Sequence, residues 1–264
     1  MNPRIQMNKM NEVKMQSLGK ALRILDYFQV DRPEGTVTEI SDYFGYTKSN
    51  VYNILQTLES FGYVEQDLKT KEYRLGYAIL RRSFVYNQTN DKLQRIQEYL
   101  SATANEVNEL ANFATIRDRQ LLYLGQCIPK NRQLLLTDYA NVVGYSAPLY
   151  CTGLGKAMLA YQSEAYIDGI IAEGFEEFTT TTVRSGEQLK RELAHIREVG
   201  YAVDNMEHSY GVRCVAVPVL NASGEAVFAI SLRGMSVQFT DDRIEELAAA
   251  LKQCTREIKK HISL

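Results

Sequence analysis

Cysteine is scarce in this chain, four residues among 264, and their spacing excludes more than their number does. Cys127, Cys151, Cys214 and Cys254 lie far apart and form no C-x-x-C pair, which removes the usual signature of a zinc site or a redox centre. Reduced, mostly buried thiols are expected. The three histidines, His195, His208 and His261, lack the i, i+4 spacing by which a helix presents two metal ligands. Neither a metal nor any other cofactor is indicated. No apolar run approaches the length that crosses a bilayer, and the N-terminus lacks the apolar core of a secretory signal. A cytoplasmic protein with no membrane partner is expected. Strong charge of one sign is missing too. A net charge of −2 argues against a protein that coats nucleic acid without specificity. Residues 1–83 hold 12 Lys and Arg against 10 Asp and Glu, and the rest of the chain 18 against 22. This small N-terminal basic excess permits a nucleic-acid contact without requiring one.

What is present is concentrated in residues 35–75. Thr47 stands where an N-cap belongs, its side-chain oxygen able to accept an orphan N–H of the following helix. Val51, Ile54, Leu55 and Leu58 recur at i, i+3, i+4 and i+7 and make one apolar stripe. Ser49, Asn53 and Gln56 point away from that stripe, with Tyr52 beside them and Lys48 and Asn50 at the helix start. No Asp or Glu occurs over residues 48–58. An ordinary solvated face mixes both signs of charge. A face of Ser, Asn, Gln, Tyr and one Lys suits base edges in a major groove and the phosphates beside it. Upstream, Thr36-x-x-Glu39 has capping-box spacing and opens a short helix burying Ile40 and Phe44. A Gly45-Tyr46 turn joins the two helices as in a helix-turn-helix. Downstream, Gly62 can stop the second helix, and residues 63–66 and 71–75 read as strands around a turn at 67–70. That pair is a wing, with Lys69, Lys71 and Arg74 in reach of a phosphate backbone. The competing reading is three helices and a hairpin packed for stability alone.

The 264 residues suffice for two domains, each with its own core. Residues 1–15 show no steady period and read as a flexible arm. Leu18, Ala21, Leu22, Leu25 and Phe28 mark a first helix, and residues 77–86 a linker helix. The second domain opens with a helix over 93–111. Strands at 113–116, 121–125 and 134–137 follow. Helices are then expected from the Gly-rich 148–161 segment, at 165–173, and at 187–199 with Ser185 as cap. Strands at 214–220 and 226–232 precede a C-terminal helix over 241–260. Hairpin turns between neighbouring strands imply an antiparallel sheet with helices packed on it, an α+β fold.

Ser17-Leu18-Gly19-Lys20-Ala21-Leu22, the winged helix and the linker helix resemble the DNA-binding half of IclR-type transcriptional regulators. Gly153-Leu154-Gly155-Lys156-Ala157-Met158-Leu159 resembles that family's A/G-x-G-K-A-x-L segment. Gly200-Tyr201-Ala202-Val203-Asp204 through Gly211-Val212-Arg213-Cys214-Val215-Ala216-Val217-Pro218-Val219 is similar to its most distinctive signature. The resemblance runs from Ser17 to the end. It implies four parts: an arm over 1–16, a winged helix-turn-helix over 17–76, a linker helix over 77–90, and a GAF-like effector-binding and oligomerisation domain over 91–264. It further implies a homodimer or dimer of dimers on a double-stranded DNA operator, answering to a small organic acid or aromatic metabolite. The effector-contact positions it carries over are Gly153, Leu154, Asp204, Cys214 and Ser231. Leu154 replaces a commonly smaller residue, and Arg233 stands where relatives often have a second small hydroxyl. Strand alternation sets Ser231 and Arg233 on one side of the sheet. There Arg233 either holds a ligand carboxylate or pairs with a resident acid such as Asp204 or Glu207.

Two other chemistries compete on the residues. Gly155-Lys156 is not a P-loop, because Tyr150 and Ala157 stand where a Gly and a Ser or Thr are needed. It leaves a helix start that either holds an anion or needs its glycines for packing. A hydrolytic or acyl-transfer enzyme would draw on Cys151 or Cys214 with His195 or His208. No nucleophile elbow surrounds either thiol, and a small buried Cys in a strand is usually packing. No catalytic residue is assigned.

Overall fold

The computed structural model describes residues 14–131 and 142–262; the strand expected at 134–137 and most of the N-terminal arm fall outside them. The chain divides into two compact units, Met1–Thr89 and Asn90–Leu264.

In the first unit, α1 (Gln16–Tyr27), α2 (Val37–Phe44) and α3 (Lys48–Ser60) enclose a core of Ile24, Tyr27, Ile40, Val51, Leu55, Val64 and Tyr73. The sequence sets the helix limits through local chemistry. The Thr36 backbone N–H donates to Glu39 Oε2 at 2.8 Å and the Glu39 N–H to Thr36 Oγ1 at 3.3 Å, a complete capping box. Gly45 ends α2 at φ 67°, Thr47 caps α3, and Gly62 turns the chain at φ 73°. The wing strands β2 (Val64–Gln66) and β3 (Tyr73–Leu75) are antiparallel. β3 starts two residues later than expected because Lys71 takes φ 65°, a conformation no strand contains. A further strand, β1 (Glu34–Gly35), pairs with β3 and makes the sheet three-stranded. No strand was expected there. Only glycine fits at Gly35, where a Cβ would stand 2.5 Å from the Tyr27 ring. The linker helix α4 (Ala78–Thr89) closes the unit.

The second unit is built on a six-stranded antiparallel sheet. In chain order it comprises β4 (Leu110–Arg117), β5 (Gln120–Cys127), β6 (Ser146–Ala147), β7 (Ala202–Asn205), β8 (Val212–Leu220) and β9 (Ala226–Met235), arranged β6-β5-β4-β9-β8-β7. Its first helix, α5 (Asp91–Val107), stops four residues before the expected limit. Asn108 takes the left-handed conformation at φ 55°, which Asn tolerates better than most residues, so Leu110 and Ala111 open β4 instead. The edge strand β7 was not anticipated. One sheet face packs Ile96 and Leu100 of α5 and Leu247, Leu251 and Ile258 of α9 (Asp241–His261) against Phe113, Val215 and Ile230. The other face carries Leu154 and Met158 of α6 (Gly153–Leu159) and Leu189 and Leu193 of α8 (Gly186–Val199), packed with Ala114, Ala216 and Ala229. A short helix, α7 (Glu164–Ala172), joins this layer through Ile167 and Ile170. The result is the α+β architecture read from the sequence.

Candidate functional sites

Two clusters carry the chemistry, one in each unit. In the first, Thr47, Lys48, Ser49, Tyr52, Asn53 and Gln56 are exposed along α3 while Val51, Ile54 and Leu55 are buried. The outward face keeps its lack of acid until Glu59. Asn50 is half-buried and its Oδ1 has no hydrogen-bond partner. Gln56 is held by its neighbours, its Nε2 donating to Glu59 Oε2 at 3.0 Å and to the Tyr73 hydroxyl at 3.2 Å. At the wing tip, Asp67 Oδ1 accepts the backbone N–H groups of Lys69 and Thr70 at 2.7 and 3.1 Å. That arrangement holds the exposed Lys69 and Lys71 in place. Arg74 is different: its Nε meets Glu65 at 2.7 Å and its guanidinium lies 3.7 Å from Glu34. Its charge is answered within the wing. A second feature of this unit is apolar and exposed. Leu18 and Leu22 on α1, Tyr77, and Leu80, Phe84, Val85 and Tyr86 on α4 are each more than half exposed.

In the second unit, pairing register sets side chains on the α6 face of the sheet in two rows. Asn112, Ser231, Ala216 and Ala202 are successive cross-strand partners, and Leu110, Arg233, Cys214 and Asp204 form the next row. α6 lies over them. A Cβ at Gly153 would stand 3.5 Å from the Cβ atoms of Ala216 and Cys214 and 3.6 Å from the Asp204 nitrogen. Gly153, Leu154, Asp204, Cys214 and Ser231 are thereby gathered around one face, with Arg233 in the same row as Cys214. Asn112 belongs to this group and carried no motif to announce it. The glycines of the α6 segment differ in role. A Cβ at Gly155 would lie 2.4 Å from the Leu149 carbonyl oxygen, so packing requires that glycine, whereas Gly153 meets only ordinary contacts.

A buried ion cluster backs this face. Lys156 is almost fully buried, and its Nζ lies 2.5 Å from Glu207 Oε1 and 2.8 Å from Glu192 Oε2. Burial pulls the lysine pKa down, but Glu207 and Glu192 outweigh it and hold the ammonium above its ordinary range. For Glu207 burial dominates over Lys156, and its pKa is raised. Asp204 is pushed up to about 7, first by burial and then by Glu207, against hydrogen bonds from the Glu207 and His208 backbone and the charge of Lys156. Glu207 therefore has Lys156 as its cation, and Asp204 Oδ1 accepts the Glu207 N–H at 2.7 Å. Arg233 also has an interaction of its own within the protein. The turn bearing Glu207 is clasped by hydroxyls. Thr179 and Thr181 donate to the Met206 carbonyl at 2.7 and 3.0 Å, and Thr182 to the Glu207 carbonyl at 2.6 Å. Beside it opens a groove of about 480 Å³, lined among others by Gln188, Glu192, Ile196, Tyr201 and Val203.

The thiols do not suit nucleophilic chemistry. Burial first, then Asp204, drives the Cys151 and Cys214 pKa values far up, which keeps both protonated. Among the described residues no group of three His, Cys, Asp or Glu could hold a metal ion. No helix among them is long and apolar enough to cross a membrane.

Comparison with known proteins decides the family. The model of the bacterial transcriptional regulator IclR C-terminal domain matches residues 85–260, and that of the IclR helix-turn-helix domain residues 17–68. The chain belongs to the IclR family of transcriptional regulators. Among its relatives is the HTH-type transcriptional regulator XynR of Escherichia coli K12, 31% identical over 241 residues, covering 90% of this chain and 94% of XynR. The transcriptional repressor IclR of the same strain is 26% identical over 248 residues, covering 93% of this chain and 89% of the repressor. A crystal structure of an IclR transcriptional regulator from Alicyclobacillus acidocaldarius superposes with a TM-score of 0.82 at 26% identity, covering 94% of this chain and 99% of that one. The IclR-family chain is a regulator rather than an enzyme, and its helix-turn-helix is the α2–α3 pair.

Proposed function

We propose that this IclR-family regulator binds a palindromic operator as a homodimer or dimer of dimers, and that a small effector on the α6 face of the second unit modulates that binding. The observation that carries the DNA reading is the outward face of α3, free of acid over residues 48–58 and lined by Lys48, Ser49, Tyr52, Asn53 and Gln56. Asn and Gln side chains offer the paired donor and acceptor that a base edge presents. Lys69 and Lys71 at the wing tip, with Thr47 and Asn50 at the helix start, supply backbone contacts that fix register. Arg74 acts mainly within the wing, because two acids already share its charge. A single winged helix makes few phosphate contacts, and two copies read half-sites about one helical turn apart. The exposed apolar residues of α1 and α4 support association between copies, since large apolar side chains left in water favour burial against a partner.

The effector reading rests on the convergence of Gly153, Leu154, Asp204, Cys214 and Ser231. The occupant is a small organic acid or aromatic metabolite, and the protein works in the cytoplasm. The test is operator selection from a random DNA pool, followed by anisotropy titrations with and without a screen of organic acids. Binding to all sequences with one affinity would overturn the operator reading. Operator affinity indifferent to every compound that raises the melting temperature would overturn the effector reading.

A further inference from the structure

We propose that Asn112 reads a hydroxyl group of the effector, which makes that effector a hydroxy acid; this rests on the effector reading above. Asn112 is 3% exposed, and its Oδ1 has no hydrogen-bond partner. Its neighbours make that unexpected. Gln126 and Ser231 flank it across the sheet as cross-strand partners, and both are polar. A buried amide oxygen left unmatched bears the full desolvation of the group, so a native site with one calls for an explanation. This one sits on the face that α6 covers, in the same row as Ser231 and one row from Arg233, Cys214 and Asp204. A ligand lying across both rows would meet the Asn112 amide.

The chemistry of the match singles out a hydroxyl. A carboxylate only accepts and would repel an amide oxygen, while an ammonium only donates. A hydroxyl does both, and so satisfies the carboxamide whichever way its oxygen and nitrogen point. The surrounding groups share that dual character. Ser231 contributes a buried hydroxyl, and the Cys214 thiol is kept neutral by burial. The Asp204 carboxyl, pushed up by burial, both donates and accepts when it holds its proton. Such a surface favours a ligand with alcohol groups over a bare alkanoate.

The test uses the full-length protein and matched probes: lactate against propionate, malate against succinate, mandelate against phenylacetate. Melting temperature and operator affinity are read for each. At least one hydroxylated probe is expected to bind, with its deoxy counterpart at least tenfold weaker. Asn112→Leu should erase that preference, cut hydroxy-acid affinity at least tenfold, and leave the unliganded melting temperature unchanged or higher, since it removes an unmatched buried polar group. Equal affinity for both members of every pair overturns the inference without using any variant. So does an Asn112→Leu protein that melts lower yet binds the hydroxy acid as well as before. In both cases an operator response to acids would leave the regulator reading standing. If no acid of either kind shifts melting or operator affinity, the inference and the effector reading fall together.

Discussion

Removing the ammonium at Lys156 tests how the second unit is held together. Lys156→Met keeps most of the aliphatic stem and deletes the charge, leaving Glu207, whose side chain is 6% exposed, without its cation. Breaking a buried pair from one side costs about 3–5 kcal/mol because the remaining charge is uncompensated. Glu192 adds less, since its side chain is 32% exposed and can turn to water. For a unit of this size each kcal/mol moves the melting temperature by roughly 2–4 °C, so a fall of about 6–20 °C is expected near pH 8. The pH dependence separates this cause from lost packing. Without Lys156 the folded-state pKa of Glu207 rises further above its unfolded value, so the variant gains stability as pH falls and the carboxyl takes a proton. The loss relative to wild type should therefore shrink from pH 8 to pH 5. Adding Glu207→Gln to Lys156→Met should recover most of it, because neither partner is then charged. Urea denaturation of the four proteins of the cycle at both pH values gives the coupling directly. A loss below about 1 kcal/mol at pH 8, or one equal at the two pH values, would refute the reasoning.

Three further outcomes follow from the geometry. Asn53→Ala should lower operator affinity by about 1–3 kcal/mol while sparing random DNA, and Lys69→Ala should weaken both alike and flatten the salt dependence; anisotropy titrations on the two DNAs over a salt series check both. Asp204→Asn should stabilise the protein more at pH 8 than at pH 5. The folded pKa near 7 exceeds the unfolded 3.8, so the native state holds the proton and the wild type loses stability as pH rises through that window, by an upper bound of roughly 4 kcal/mol. Identical urea midpoint shifts at both pH values would count against it. Phe84→Asp places a charge among the exposed apolar residues of α4, and sedimentation should then show dissociation together with weaker operator binding; an unchanged oligomer would remove α4 from the interface.

Much of the first unit was legible because its signals are local. Thr36 with Glu39, Thr47, Gly45 and Gly62 act within one helical turn, and each appears where caps and stops were expected. β1 was not legible, since two residues carry no alternation and their pairing with β3 depends on a distant register. Asn108 ended α5 early through a left-handed backbone that an apolar periodicity cannot reveal. The four-residue β7 was missed for the same reason as β1: it is a short edge strand defined by its partner. On the α6 face, motif similarity marked Gly153, Asp204 and Cys214, but nothing in the sequence joined Lys156 to Glu192 and Glu207, 36 and 51 positions away. The threonines at 179–182 carried no sequence signal for the turn they clasp. Asn112 fell between the helix expected to end at 111 and the strand expected from 113, so no expected element placed it on the sheet, where β4 now carries it.

The wing has a kinetic consequence. Its tip is fixed by Asp67, its strands are braced by β1, and its arginine is tied to two acids on neighbouring strands. On the proposed reading Lys69 and Lys71 would meet DNA on a frame that is ordered beforehand, and little chain entropy would be lost there on association. Encounter with the operator should then be governed by diffusion and ionic strength, with no slow ordering phase from this element, and differences among operators should appear mainly in how long the complex lasts.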